Sequence, residues 1–323
     1  MKVIDIINEA KATGKTRFSF ELLPPLKGDG LDNIFGAIDR LMPFDPAFIN
    51  VTCHREEMKY TERPDGLIEK HMTRRRPGTV GVSAAIKQKY GVEVVPHLVC
   101  GGQSRYDIED TLIDMDFLGI QNVLALRGDA MPGTTRFVPH RDGHAHADGL
   151  VRQITAMNRG QFIDGEPNTC HRSDFCIGVA GYPEKHVESP NILTDLGYLK
   201  QKIDNGGEYI ATQICYDVDT LLRFRDDCQR LGIDAPILPG LKPFATKAQL
   251  TILPQTFAVD LPQQLVDRVS ACADNDEVKK VGIDWAVAMG ERLIAEGFPV
   301  LHFYTMTRTA QVEAIVKSLM HNS

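Results

Sequence analysis

The chain has 323 residues, 43% of them hydrophobic and 24% charged, with a formal net charge of -7. That balance suits a globular chain and offers no basic footprint for nucleic acid. No apolar run approaches the ~20 residues that span a bilayer, so neither nucleic acid nor membrane is expected as a partner.

The N-terminal "MKVIDIINEAKATGK" is a short amphipathic segment with acidic residues, unlike a signal peptide. Seven cysteines lie scattered without a CxxC spacing, which points to reduced thiols and a cytoplasmic protein. A first strand is predicted over 16–22, "TRFSFEL", and runs into "LPP". Its Glu21 places a charge where the strand should enter a core. A helix follows over 32–42, then a strand over 48–52, "FINVT". Residues 63–90 read as helical only late, around "VSAAIKQKYG", with "RRR" at 74–76 as a solvated helix end.

Further strands are predicted over 92–100, 122–128, 175–182, 209–216, 236–242 and 300–306. Most are apolar on both faces, as buried parallel strands are. Helical spacing fills 107–119, 194–207, 219–232 and 276–297, often from Asp or Thr to Gly. The long connection 129–174 holds a His-rich stretch at 140–146 and a helix-like "LVRQITAMNRG". Connections of that length are usually functional or mobile. Within it, Cys170 and His171 with Cys176 resemble metal ligands, but no second Cys/His pair completes a site, so no metal is expected.

Eight strands alternating with helices predict a single-domain α/β fold over 1–323, a (β/α)8 TIM barrel. A doubly wound open sheet is the alternative, and it would want a GxGxxG loop after strand 1, where "ELLPPLKGDG" stands instead. Barrel chemistry belongs at the C-terminal strand ends. There the chain places Glu21, Thr52-Cys53-His54, His97, Arg127-Gly128-Asp129, Tyr182-Pro183-Glu184 with His186, Gln213, Lys242, and Tyr304 to Arg308. Any one of these is more often a satisfied core residue or a cap, but eight at one barrel end favour an enzyme. No HExxH, GxSxG or paired-carboxylate motif names the reaction. One Glu among several Arg, His, Asp and Gln suggests acid–base work beside an anionic, nitrogen-rich ligand.

The motifs taken in order resemble the methylenetetrahydrofolate reductase family. "FSFELLPP" resembles its "SFEFFPP", while "VPHLVC", "LALRGD", "VAGYPEKHVES", "PILPGLKP" and "LHFYTMTR" follow its later strands, over about residues 16 to 308. The resemblance implies a barrel carrying non-covalent FAD. With NADH or NADPH as reductant, it would convert 5,10-methylenetetrahydrofolate to 5-methyltetrahydrofolate for one-carbon metabolism and methionine biosynthesis. A homo-oligomer of bacterial type, without a regulatory domain, is expected.

Glu21 falls on the family's general acid and Asp129 on the acid near flavin and folate. Thr52, His97, Arg127, Gly128, Ala147, Tyr182, His186, Asp195 and Lys202 fall on flavin contacts, as does Asp129. Gln213, Gln249 and Arg308 fall on substrate contacts. The chain departs from the family at Cys53, where Tyr is frequent, at Ile214-Cys215-Tyr216, where Phe-Phe is usual, and at Val187, where Pro is usual. Burial among Phe18, Phe20, Leu22 and Leu23, with Asp129 pushing the same way, is expected to raise the Glu21 carboxyl toward ~6. Two other readings stay open: another FAD barrel, such as a proline dehydrogenase, and a barrel that only binds flavin or folate.

Overall fold

The computed structural model describes residues 1–54, 57–130, 136–165, 172–306 and 309–321. In chain order it begins with α1 (Val3–Thr13), β1 (Arg17–Leu22), α2 (Asp32–Leu41), β2 (Ile49–Val51), β3 (Glu57–Glu62), β4 (Ile68–Thr73), α3 (Thr79–Tyr90) and β5 (Val94–Val99). Next come α4 (Arg105–Phe117), β6 (Asn122–Leu126), α5 (Ala147–Asn158), β7 (Cys176–Gly181), α6 (Ile192–Asp204) and β8 (Tyr209–Ile214). The last third holds α7 (Val218–Arg230), β9 (Ile237–Leu241), α8 (Gln249–Phe257), α9 (Gln263–Ala271), α10 (Asn275–Ala295), β10 (Val300–Met306) and α11 (Thr309–His321).

Eight of these strands close a parallel barrel in the order β1-β10-β9-β8-β7-β6-β5-β2. All eight predicted strands fall in it. Alternation sends one set of side chains outward under the helices, where Phe20, Leu22, Ile38, Leu41, Phe303 and Ile315 are fully buried. A second cluster plugs the barrel floor. Val3, Ile6 and Ile7 of α1 pack on Phe48, Val95, Leu124, Tyr209 and Leu238. The backbone N–H of Val3 donates to Asn122 Oδ1 at 2.7 Å, which ties α1 to β6. Higher up, Gly240 of β9 leaves the room that Tyr304 fills, since a Cβ there would lie 2.6 Å from the Tyr304 ring. The Tyr304 hydroxyl then donates to the carbonyl of Thr212 at 2.7 Å.

Two expectations change. Residues 57–73 form an antiparallel hairpin, β3 with β4, apart from the barrel. The stretch 74–76 is no helix end: it joins that hairpin to α3, with Arg74 and Arg75 exposed and Arg76 half-buried. Cys170, His171 and Arg308 lie outside the described residues.

Candidate active site

Parallel strands bring their C-terminal ends to one rim, and β1 ends there at Glu21. Phe20 and Leu22 turn outward, so Glu21 turns into the barrel, opposite Tyr304 of β10 and Asn50 of β2 in register. Ser19 sits two residues below on the same face, and its hydroxyl meets Nδ1 of His302, its register partner, at 2.9 Å. That contact orients the His302 ring, whose Nε2 lies 3.7 Å from Glu21 Oε2. From β5, His97 brings Nε2 to 3.4 Å of the same oxygen and to 3.2 Å of Asn50 Nδ2. Glu21 is 4% exposed, His97 6% and His302 1%.

The expected rise of the Glu21 carboxyl is overturned. Burial does raise it, but the His302 ring and the charges of His97, His302 and Lys242 outweigh burial and hold it below the ordinary carboxylate range. Phe18, Phe20 and Leu22, expected to desolvate it, point away into the helix layer, and imidazoles stand in their place. His97 itself is pushed down to about 4 by burial, only partly offset by Glu21. It is therefore neutral near pH 7.

A second group lies further round the same rim. Arg127 follows β6, and its Nη1 and Nη2 donate to the two oxygens of Glu188 at 2.5 and 2.9 Å. Gly128 turns the chain at a φ of 83°, a left-handed conformation that favours glycine. Asp129 beyond it is exposed, and its charge acts on His54, Arg127 and Tyr182. Tyr182 and His186, after β7, meet edge to face at 4.8 Å. Lys202 of α6 lies 5.9 Å from the Tyr182 ring centre, and its Nζ donates to Ala180 O at 2.5 Å. Burial pushes its ammonium down to about 8, against Asp195 and Asp148. Asp195, in the first turn of α6, accepts from Ser189 Oγ at 2.7 Å. Ala147 is the first residue of α5, after His146.

FAD would need fixed cations and helix N-termini for its diphosphate. Arg127 already holds a bidentate anion, the Glu188 carboxylate. Lys202 is a half-buried cation nearby, and α5 opens on this side at Ala147. The residues present fit the group. Thr52, 8% exposed, meets His54 Nε2 at 3.2 Å on the Glu21 side.

The expected folate contacts are more scattered. Gln213 of β8 accepts from the backbone N–H of Ile214 at 2.9 Å. Gln249 turns back on its own backbone: its Oε1 accepts from Ala245 and Thr246 at 2.6 and 2.9 Å. In the insertion, His144 Nε2 meets Gln153 Oε1 of α5 at 2.6 Å, so that stretch packs on α5. Sequence reasoning did not single out Ser19, Asn50 or His302. The signal was present: Ser19 with Glu21, Asn50 with Thr52, and His302 with Tyr304 each put polar residues two apart on an inward strand face.

The family profile for methylenetetrahydrofolate reductase matches residues 6–320. Methylenetetrahydrofolate reductase (NADH) 1 of Arabidopsis thaliana is 33% identical over 329 aligned residues, covering 99% of this chain and 51% of its own length. The chain thus spans about half the length of the plant relatives it matches. The 5,10-methylenetetrahydrofolate reductase of Escherichia coli is 30% identical, covering 98% of this chain and 95% of its own length. Among solved structures, a protein from Clostridium thermocellum that binds two copies of 5-methyl-5,6,7,8-tetrahydrofolic acid has the same fold, with a TM-score of 0.57, 13% identity and 98% of each chain covered. The profile match and the nearly full-length bacterial relative agree with the order of rim residues: this chain belongs to the methylenetetrahydrofolate reductase family.

Proposed function

We propose that the chain reduces 5,10-methylenetetrahydrofolate to 5-methyltetrahydrofolate in the cytoplasm, with non-covalent FAD and NADH or NADPH as reductant. The observation that carries this is a single carboxyl, Glu21, buried between two imidazoles on the barrel rim of a member of this family. Relatives are named for NADH and for NADPH alike, and the nicotinamide is left to kinetics. Arg127, Lys202 and the α5 opening would hold the diphosphate, with Tyr182, His186 and Asp195 beside them. Bound FAD supplies hydride transfer from nicotinamide to folate.

Glu21 serves the folate half. The bridging carbon accepts hydride only after its bond to N10 opens, and that nitrogen leaves poorly unless protonated. A carboxyl held below its ordinary range is a weak donor near pH 7. A folate over the barrel mouth takes away what little solvent access Glu21 has and adds to burial, the cause that already raises it. The acid is therefore made when substrate covers the site. Asp129 follows β6 and Gln213 lies on β8, two strands apart on the same rim, and Gln213 offers both a donor and an acceptor to a pterin edge. Purified protein should be yellow, bleach with NADH or NADPH, and consume 5,10-methylenetetrahydrofolate. A colourless protein that takes up no FAD and turns over no folate overturns the proposal, and turnover of proline instead would point to the other flavin barrel.

A further inference from the structure

The β3–β4 hairpin stands off the barrel with two unlike faces. Register partners on antiparallel strands share a face, so Met58 with Met72, Tyr60 with Lys70 and Glu62 with Ile68 make one of them. The other face, Glu57 with Thr73, Lys59 with His71 and Thr61 with Glu69, holds no large apolar side chain. On the first face Tyr60, Ile68 and Met72 are exposed, Ile68 by 70%. A lone two-stranded hairpin is marginal in water unless its apolar face is covered, and among the described residues nothing covers this one. Its base is nonetheless fixed. The backbone N–H of Lys27 donates to Arg75 O at 2.6 Å, and Arg76 Nη1 donates to the carbonyl of Pro24. The arm is held out from the body at a set place.

Charge singles out the arm as well. Residues 57–76 carry six Lys and Arg against four Asp and Glu, on a chain with a net charge of -7. Arg75 pairs with Glu57 at 2.6 Å and Arg63 with Asp65 at 3.1 Å. Lys70, on the apolar face, has no ion-pair partner among the described residues. The same chain carries the complement on α4. That helix buries Ile108, Leu112 and Met115 and turns Tyr106, Ile113 and Phe117 to solvent, Phe117 by 90%. With Asp110 these three follow a 4-3-4 spacing, which is one stripe on a helix. The stripe runs roughly 17 Å at ~1.5 Å per residue. The hairpin face runs roughly 14 Å from Met58 to Glu62 at ~3.4 Å per residue. Five of the α4 residues are Asp or Glu and one is Arg. Asp110 and Asp114 are exposed, and neither has an ion-pair partner among the described residues.

We propose that the hairpin of one copy docks on α4 of a second copy, its apolar face on the Tyr106–Ile113–Phe117 stripe and Lys70 against the Asp110 and Asp114 carboxylates. Unlike charges meet in this pairing, whereas α4 on α4 would set acids against acids. The placement of the two surfaces supports it. The hairpin leads into α3, and α4 follows β5, the strand beside β2 in the barrel, so hairpin and helix flank α3 on one side of the molecule. A two-fold axis there makes the contact twice, each copy giving its hairpin and receiving its partner's. The pairing does not depend on the folate reading.

The test is the oligomeric state of the full chain and the identity of the surfaces that meet. Sedimentation of the wild-type protein should show a dimer, or an even-numbered assembly built from it. Ile68→Asp and Phe117→Asp each place a charge in the contact. Both side chains are exposed in the single chain, so Tm measured at high dilution should stay near wild type. Each variant should raise the Kd of the pairing by at least ~10-fold, as loss of a central apolar anchor does. Cross-linking then names the partner surface. Chains carrying Ile68→Cys, mixed with chains carrying Phe117→Cys and treated with oxidised glutathione, should form a disulfide-linked dimer. Either variant alone should form none above the wild-type control. A wild-type monomer at every concentration, an assembly that neither Asp variant weakens, or cross-linking as strong within one Cys variant as between the two overturns the proposal.

Discussion

Glu21 was legible in the sequence as a charge at the end of an apolar strand. Its proton affinity was not. Apolar letters on either side suggested desolvation, but Phe20 and Leu22 face the helices, and the neighbours that matter come from β5 and β10. Contacts across a barrel are set by register, which one strand's sequence does not carry. Glu21→Gln keeps the shape and removes the proton. It should slow folate reduction by ~10²-fold or more, in the range of a lost general acid. NADH oxidation coupled to an artificial quinone acceptor should stay near wild type. Stopped-flow measurement of each half separates the outcomes, and folate reduction at wild-type rate would make Glu21 a structural charge only. Gln213→Leu should instead raise the folate KM by at least ~10-fold, since a lost buried pair costs ~1–3 kcal/mol. Equal damage to NADH oxidation would sink its role at the pterin.

The barrel strands were readable because burial on both faces writes an unbroken apolar run, and the helices because their apolar stripe and caps coincide. The β3–β4 hairpin was not. Its strands are mostly exposed and carry charges at nearly alternate positions, so neither face reads as a core. The pair α8 and α9 escaped for another reason: Pro254 lies inside α8, and Pro262 precedes α9. Proline reads as a breaker even where a helix tolerates it. The first helix illustrates what the sequence understated. "MKVIDIINEAKATGK" showed amphipathicity, while the structure makes α1 the floor of the barrel. Ile7 is 0% exposed there, so Ile7→Ala should cost about 2–5 kcal/mol, the usual range for a core truncation. Urea unfolding measures it. An unchanged midpoint would mean that α1 does not close the floor. At the other rim, α6 presents Lys202 beside Tyr182. Lys202→Ala should weaken FAD binding, read by recovery of flavin fluorescence on dilution, and full retention would remove Lys202 from the diphosphate site.

Stability against pH joins both ends of the site. His97 is held at about 4, against ~6.5 in an unfolded chain. Between those values the unfolded state binds the extra proton, so His97 costs stability as pH falls from ~6.5 toward 4, by up to ~3 kcal/mol. His54, His144 and His186 are lowered as well and share that sign. Glu184 runs the other way. It follows β7, where its Oε1 accepts from the backbone N–H of Asp260 at 3.3 Å and faces Cys215 Sγ at 3.8 Å. Burial, with Asp260 and Asp217 adding, raises it to about 7 against the hydrogen bonds from Asp260 and Cys215. From its unfolded value near ~4.3 up to about 7 the native state holds the extra proton, so Glu184 costs stability as pH rises. The two slopes oppose each other between ~4.5 and ~6.5, where the flavin-saturated protein should show a broad plateau. Each substitution should tilt it. His97→Gln should lower the value of Tm at pH 7.5 minus Tm at pH 5, because the acid-side loss disappears. Glu184→Gln should raise that same value, because the alkaline-side loss disappears. The comparison uses the pH dependence of each variant, so any packing cost common to all pH values cancels. If both variants keep the wild-type dependence, neither proton is held differently in the folded and unfolded states, and the electrostatic account of this rim fails with them.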